Sequence, residues 1–207
     1  MNFYKPGLPT VSRMPAVLAT VSLFLTLLSA CAPMTVTYYQ PDAASGRVVK
    51  AWCPPVRSYV LLDVRDVTVG FNVSSPRKDR VQVTITFEVP AKHTVQMIDR
   101  FVEIRSPSGV TAKSELFGRQ WVSAGRTGEI PLDRPMEGGT TKKVFDQTTP
   151  YGKTEHAYFF LRADIDVAPA ESFLLKPPRF FVDGKEVDFP AITFIKTEET
   201  YLGSLNC

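Results

Sequence analysis

Five apolar side chains at odd positions, Val81, Val83, Ile85, Phe87 and Val89, alternate with Gln82, Thr84, Thr86 and Glu88. Side chains of an extended chain point to opposite faces in turn, so this stretch can bury one face and wet the other as a strand; as a helix it would scatter its apolar groups all round. Val67, Val69, Phe71 and Val73 repeat the pattern upstream, and Ala157, Phe159, Leu161, Ala163, Ile165 and Val167 repeat it later. Ser74-Ser75-Pro76-Arg77-Lys78-Asp79 places turn-forming residues between the first two runs, which predicts a hairpin. A second hairpin is expected where Phe180-Phe181-Val182 and Val187-Asp188-Phe189 flank Asp183-Gly184-Lys185-Glu186, because Asp-Gly readily accepts positive φ. Val60, Leu62 and Val64 suggest a further strand, as do Phe101, Val102 and Ile104 ahead of the turn Ser106-Pro107-Ser108-Gly109.

No stretch sustains an apolar period of 3.6, and 17 prolines are spread along the chain, which disfavours long helices. Between Gly118 and Lys153 the pattern weakens into Gly, Thr and charge, so long connections are expected there, with short strands near Thr127 to Leu132 and Lys143 to Asp146. Many short strands separated by turns argue for an all-β fold. The expected architecture is an antiparallel β-sandwich, immunoglobulin-like in layering, of about seven to nine strands. A closed β-barrel is the alternative.

Lys5 and Arg13 are the only charged residues before Cys31, and they precede an uncharged, mainly apolar run of 13 residues from Ala16 to Leu28. That run fits the core of a secretory signal and falls short of the roughly 20 residues a spanning helix needs. Leu28-Ser29-Ala30-Cys31 follows at once. This tetrapeptide resembles the lipobox of bacterial lipoproteins: an aliphatic residue, two small ones, then the cysteine that receives diacylglycerol. The resemblance covers residues 1–31 only. It implies cleavage before Cys31 and lipid on that cysteine, including a palmitate-type acyl chain, giving an anchored cell-envelope protein. Ala32 stands where an aspartate would tend to mean inner-membrane retention, so the resemblance favours the outer membrane, facing the periplasm or the surface. Residues 1–30 are thus read as the signal peptide, 31–46 as an irregular tether mixing Pro33, Pro41, Asp42, Ser45 and Gly46 with a few isolated apolar side chains, and 47–207 as a single sandwich domain. Tyr38 and Tyr39, within the tether, suit either packing on the domain or a place at the lipid interface, and packing on the domain is the expectation.

The remaining cysteines, Cys53 and Cys207, form an even pair once Cys31 is lipidated. In an oxidising compartment such a pair reads as a disulfide, and closing a loop of roughly 155 residues would stabilise by up to about 5 kcal/mol in the chain-entropy picture. It would also bring the last strand near the first. Of the 24 basic residues two lie before Cys31, leaving 22 against 21 acidic ones. With near-balanced charge and no basic block, the composition gives no footing for nucleic acid. The partners expected are the membrane, through the lipid, and an envelope protein.

His93 and His156 are the only histidines. A Ser-His-Asp arrangement would have to use one of them, yet the chain lacks a Gly-x-Ser-x-Gly elbow. Ser75-Pro76-Arg77-Lys78 matches Ser-x-x-Lys, but Pro76 and the hairpin setting oppose the helix that spacing needs. Asp164 and Asp166 share a strand face, as carboxylate pairs can; a solvated surface is the commoner meaning. Two distant thiols and two scattered histidines do not make a metal set, and no cofactor motif is present. One feature resists the bland reading. Tyr158 and Phe160 add aromatic area to the face of the 157–167 run that should be wet, either because something covers them or because they form a patch for a partner or apolar ligand. The leading expectation is a non-enzymatic interaction or structural module. A binding protein for a small apolar or glycan ligand comes second and predicts a concave pocket. An envelope hydrolase comes third and predicts His93 or His156 within hydrogen-bond reach of a Ser or Asp in a cleft.

Overall fold

The computed structural model describes residues 33–51, 57–77, 79–123, 126–139 and 156–202. In chain order the strands are β1 (Pro33–Pro41), β2 (Arg47–Ala51), β3 (Arg57–Val64), β4 (Val67–Arg77), β5 (Arg80–Pro90), β6 (Thr94–Met97), β7 (Phe101–Arg105) and β8 (Thr111–Glu115). They continue with β9 (Phe117–Ser123), β10 (Arg126–Ile130), β11 (Met136–Glu137), β12 (His156–Ile165), β13 (Ser172–Lys176), β14 (Phe180–Val182), β15 (Lys185–Val187) and β16 (Ile192–Leu202). The only helical element among the described residues is one 3-10 turn at Ala43–Ser45.

The alternating runs form the centre of a seven-stranded sheet ordered β10-β9-β12-β5-β4-β3-β2. β4 and β5 pair with Val69 opposite Phe87, Phe71 opposite Ile85 and Val73 opposite Val83, so the odd residues of both strands share one face. β12 lies on the other side of β5, with Phe159 opposite Phe87 and Leu161 opposite Ile85. All of these side chains are buried. A one-residue slip of either pairing would turn this apolar set to water, so the core fixes the register.

A five-stranded sheet, β1-β16-β13-β7-β8, supplies Val102, Ile104, Phe173, Leu175, Ile192 and Phe194 to the same core. A smaller sheet, β11-β6-β14-β15, adds Val95, Phe180 and Val182. Phe180 meets Phe87 edge to face with ring centroids 5.2 Å apart, and Phe189 bridges Phe180 at 5.8 Å and Phe71 at 5.9 Å. Ser114 Oγ on β8 donates to the Asp164 carbonyl on β12 at 2.8 Å, tying one edge of the five-stranded sheet to the seven-stranded one. The chain is an all-β antiparallel sandwich, and none of its sheets closes into a barrel.

Several elements differ from expectation. Sixteen strands occur among the described residues where about seven to nine were expected, because the third sheet and most of the sheet edges use segments of two to five residues, too short to show a period. The stretch read as an irregular tether contains β1. Tyr38 and Tyr39 do lean on the domain and are both buried, at 5% and 2% exposure; two adjacent covered residues erase the alternation by which a strand is recognised. The β4–β5 connection is tighter than the six-residue turn predicted, with β4 running to Arg77, β5 beginning at Arg80, and the register shifting between Ser74 and Arg77. Thr127 to Leu132 does hold a strand, β10, whereas Lys143 to Asp146 lies outside the described residues.

By internal contacts 36–198 is one compact unit. The described residues of the other unit are 33–35 and 199–202, where the Thr35 and Thr200 hydroxyls are 2.9 Å apart. No helix among the described residues is long and apolar enough to cross a membrane.

Candidate functional site

Cys31, Cys53 and Cys207, the predicted lipid and disulfide positions, all lie outside the described residues. Tyr158 and Phe160 lie on the face of β12 turned away from the core. Tyr158 stands opposite Glu88 on β5, and Phe160 stands between Thr86 on β5 and Arg119 on β9. Tyr158 is only 8% exposed, and its hydroxyl points at Glu88 Oε1 from 3.5 Å. His156 Nδ1 lies 2.5 Å from the same Glu88 oxygen, with both side chains largely shielded. The polar tip of the pair is therefore turned inward onto a His-Glu contact, and the accessible part of the aromatic surface belongs to Phe160, which is half-buried.

His93 does have an acidic neighbour. Its Nδ1 is 2.8 Å from Asp183 Oδ2, while Asp183 Oδ1 accepts the Thr94 N–H at 2.9 Å and the Asp183 N–H donates to the Thr94 carbonyl at 3.0 Å. These bonds fasten the start of β6 to the β14–β15 turn. The His93 ring bond, followed by the Thr94 N–H, holds the Asp183 carboxyl below its ordinary pKa. The hydrolase expectation required such a pair to sit in a cleft; this one sits at the tip of a hairpin, half-exposed. Asp164 and Asp166 go to different partners: Asp164 to Gln82 at 2.8 Å and to Arg162 at 3.1 Å, Asp166 to Arg80 at 2.9 Å. They are a charged strand surface laced across β12 and β5. Ser75 lies in β4, so the Ser-x-x-Lys spacing is not on a helix.

A cleft of about 390 Å³ lies beside β9 and β10. It is lined by Arg100, Glu115, Leu116, Phe117, Gly118, Arg119, Glu129, Ile130 and Leu132. Gly118 shapes it: a β-carbon there would meet Ile130 Cγ1 and Leu132 Cδ2, each at 2.7 Å, so the two aliphatic chains lie directly over the bare backbone. Among the described residues, none of the four charged lining side chains forms an ion pair. The cleft thus offers an aliphatic floor with separate cationic and anionic groups around it. Phe117 stands opposite Arg162, whose guanidinium lies 5.9 Å from the ring centroid, and Arg119 stands opposite Phe160. The Phe160 surface is therefore continuous along β9 with two cleft residues.

No motif announced this cleft. Its residues come from the position before β7, the end of β8 and the turn to β9, the strands β9 and β10, and the segment after β10. The one signal available was Gly118 between Phe117 and Arg119, since a glycine inside a strand marks a close approach. Among the described residues, no three His, Cys, Asp or Glu side chains cluster to hold a metal ion.

Fold and surface together define an antiparallel β-sandwich with a mixed-charge cleft on one edge. No family model matches the chain, and neither the curated proteins nor the solved structures include a significant match to it.

Proposed function

We propose that this is a lipid-anchored envelope protein, delivered to the outer membrane, whose sandwich serves as a non-enzymatic interaction or structural module. The observation that carries the reading is Leu28-Ser29-Ala30-Cys31 behind a basic, then apolar, leader. The surface supports the second half. Its histidines and several carboxylates are engaged with neighbouring side chains: His93 with Asp183, His156 with Glu88, Asp164 with Gln82 and Arg162. Mass spectrometry of protein taken from membranes tests the anchor: the expected result is diacylglyceryl on an N-terminal Cys31, and a Cys31→Ser variant released from the membrane. Affinity capture from the native envelope, with Phe160→Ser as comparison, tests the module. Capture of an envelope protein that the substitution weakens supports this surface, and capture indifferent to it removes the aromatic patch from the proposal.

One observation favours a second reading. The cleft over Gly118 has the concavity that a small-ligand binder requires, with apolar floor and polar rim. A Leu132→Trp variant should fill it. If small amphiphiles or glycans bind the unaltered protein and this variant equally, the cleft is not their site.

A further inference from the structure

The distance between the proposed lipid and the folded domain is set by where β1 begins. Cys31 and Pro33 are separated by Ala32 alone, and Pro33 opens β1, which lies beside β16 in the five-stranded sheet. Tyr39 on that strand is fixed in the core. It is 2% exposed, its ring centroid is 5.2 Å from that of Phe173, and its hydroxyl donates to the Ala170 carbonyl at 2.8 Å. Three residues further on, the Asp42 N–H donates to the Thr193 carbonyl at 2.9 Å.

Tyr39 lies eight residue steps along the chain from Cys31, so whatever path the chain takes, their α-carbons lie within about 29 Å of one another. An irregular tether running to Gly46 would have allowed about twice that reach. Drawing the domain further out requires Tyr39 to leave the core and its hydrogen bond.

We propose that the sandwich is held close to the membrane carrying its lipid by this short, strand-bound connection. The inference rests on the lipidation reading above.

The test uses the full-length lipoprotein in phosphatidylethanolamine–phosphatidylglycerol vesicles, with a genetically encoded fluorescent amino acid at the exposed Ala44 and a headgroup-labelled lipid as acceptor. A second form carries about twenty Gly and Ser residues between Ala32 and Pro33, adding roughly 25 Å of root-mean-square reach. Efficient energy transfer in the first form, largely lost in the second, is the expected result. Acylated protein whose transfer is weak, or is unchanged by the insertion, overturns the inference while leaving the anchor intact. A mass spectrum with unacylated Cys31 overturns the anchor reading itself and the inference with it, so the two failures are told apart.

Discussion

Ser58 occupies a position that should be apolar. It is fully buried on β3, and its hydroxyl has no hydrogen-bond partner among the described residues, while its backbone carbonyl accepts the Asn72 side-chain amide at 2.8 Å. A buried hydroxyl without a partner lowers stability, whereas a buried amide that makes its bond raises it. Ser58→Ala is therefore expected to leave stability unchanged or raise it by up to about 1 kcal/mol, and Asn72→Ala to lower it by about 1–3 kcal/mol, read from urea midpoints. A destabilising Ser58→Ala would mean the hydroxyl is bonded after all. Acid titration probes other single residues. Hydrogen bonding and charge from Arg179 hold the Asp99 carboxyl below its usual range, and His93 does the same for Asp183. A carboxyl whose folded pKa is depressed adds stability above its unfolded pKa, near 4, and that stability is lost as pH falls through the folded value. The melting temperature should fall as pH drops below about 4, and Asp99→Asn should make that fall shallower by lowering the melting temperature at neutral pH, where the Asp99 contribution is present, with little change at low pH. At this scale the sequence was informative where chemistry is local. Cys31 stands in a contiguous motif; Arg100, Arg119 and Leu132 line one cleft from separate segments whose meeting no spacing along the chain encodes.

Among elements, long alternating strands were legible and short or doubly covered ones were not. β5 and β12 could be read directly because one face is apolar over nearly the full length. β1 could not, since Tyr38 and Tyr39 are both buried in succession. Turns show the same contrast. Asp183-Gly184 was foreseen, and it adopts φ of 51° and 74° between β14 and β15. The β3–β4 turn adopts nearly the same geometry with Arg65 and Asp66, at 49° and 65°, without any glycine to signal it. Left-handed backbone costs an L-residue roughly 1–2 kcal/mol, less for Asp and almost nothing for Gly. Gly184→Ala, whose β-carbon would meet nothing within 4 Å, should thus destabilise by about 1 kcal/mol through backbone strain alone. Asp66→Gly should shift stability the opposite way, by up to about 1 kcal/mol. Thermal melts of the two variants check both signs, and a shared sign would break the assignment of these turns to one type.

For the molecule as a whole, the order of the five-stranded sheet places the first strand beside the last, which the sequence had foreseen only as a consequence of a bridge between Cys53 and Cys207. Hydrogen-bonded pairing already brings β1 and β16 together, so the proposed bridge is not needed to define the fold. Its effect would fall on the unfolded chain, where closing a loop of roughly 155 residues removes entropy worth up to about 5 kcal/mol. Two consequences separate this from a bridge that shapes the native state. Reduction should lower the melting temperature of the native sequence and leave a Cys53→Ser, Cys207→Ser variant unmoved. The reduced protein, below its new midpoint, should keep the circular dichroism and the Tyr39 environment of the oxidised one, because β16, β13 and the Ala170 carbonyl still hold that ring. Loss of native structure on reduction at low temperature would instead mean that strand pairing at the chain ends depends on the covalent link. Free thiols in the untreated protein would remove the bridge from the account and leave pairing alone to hold β1 in place.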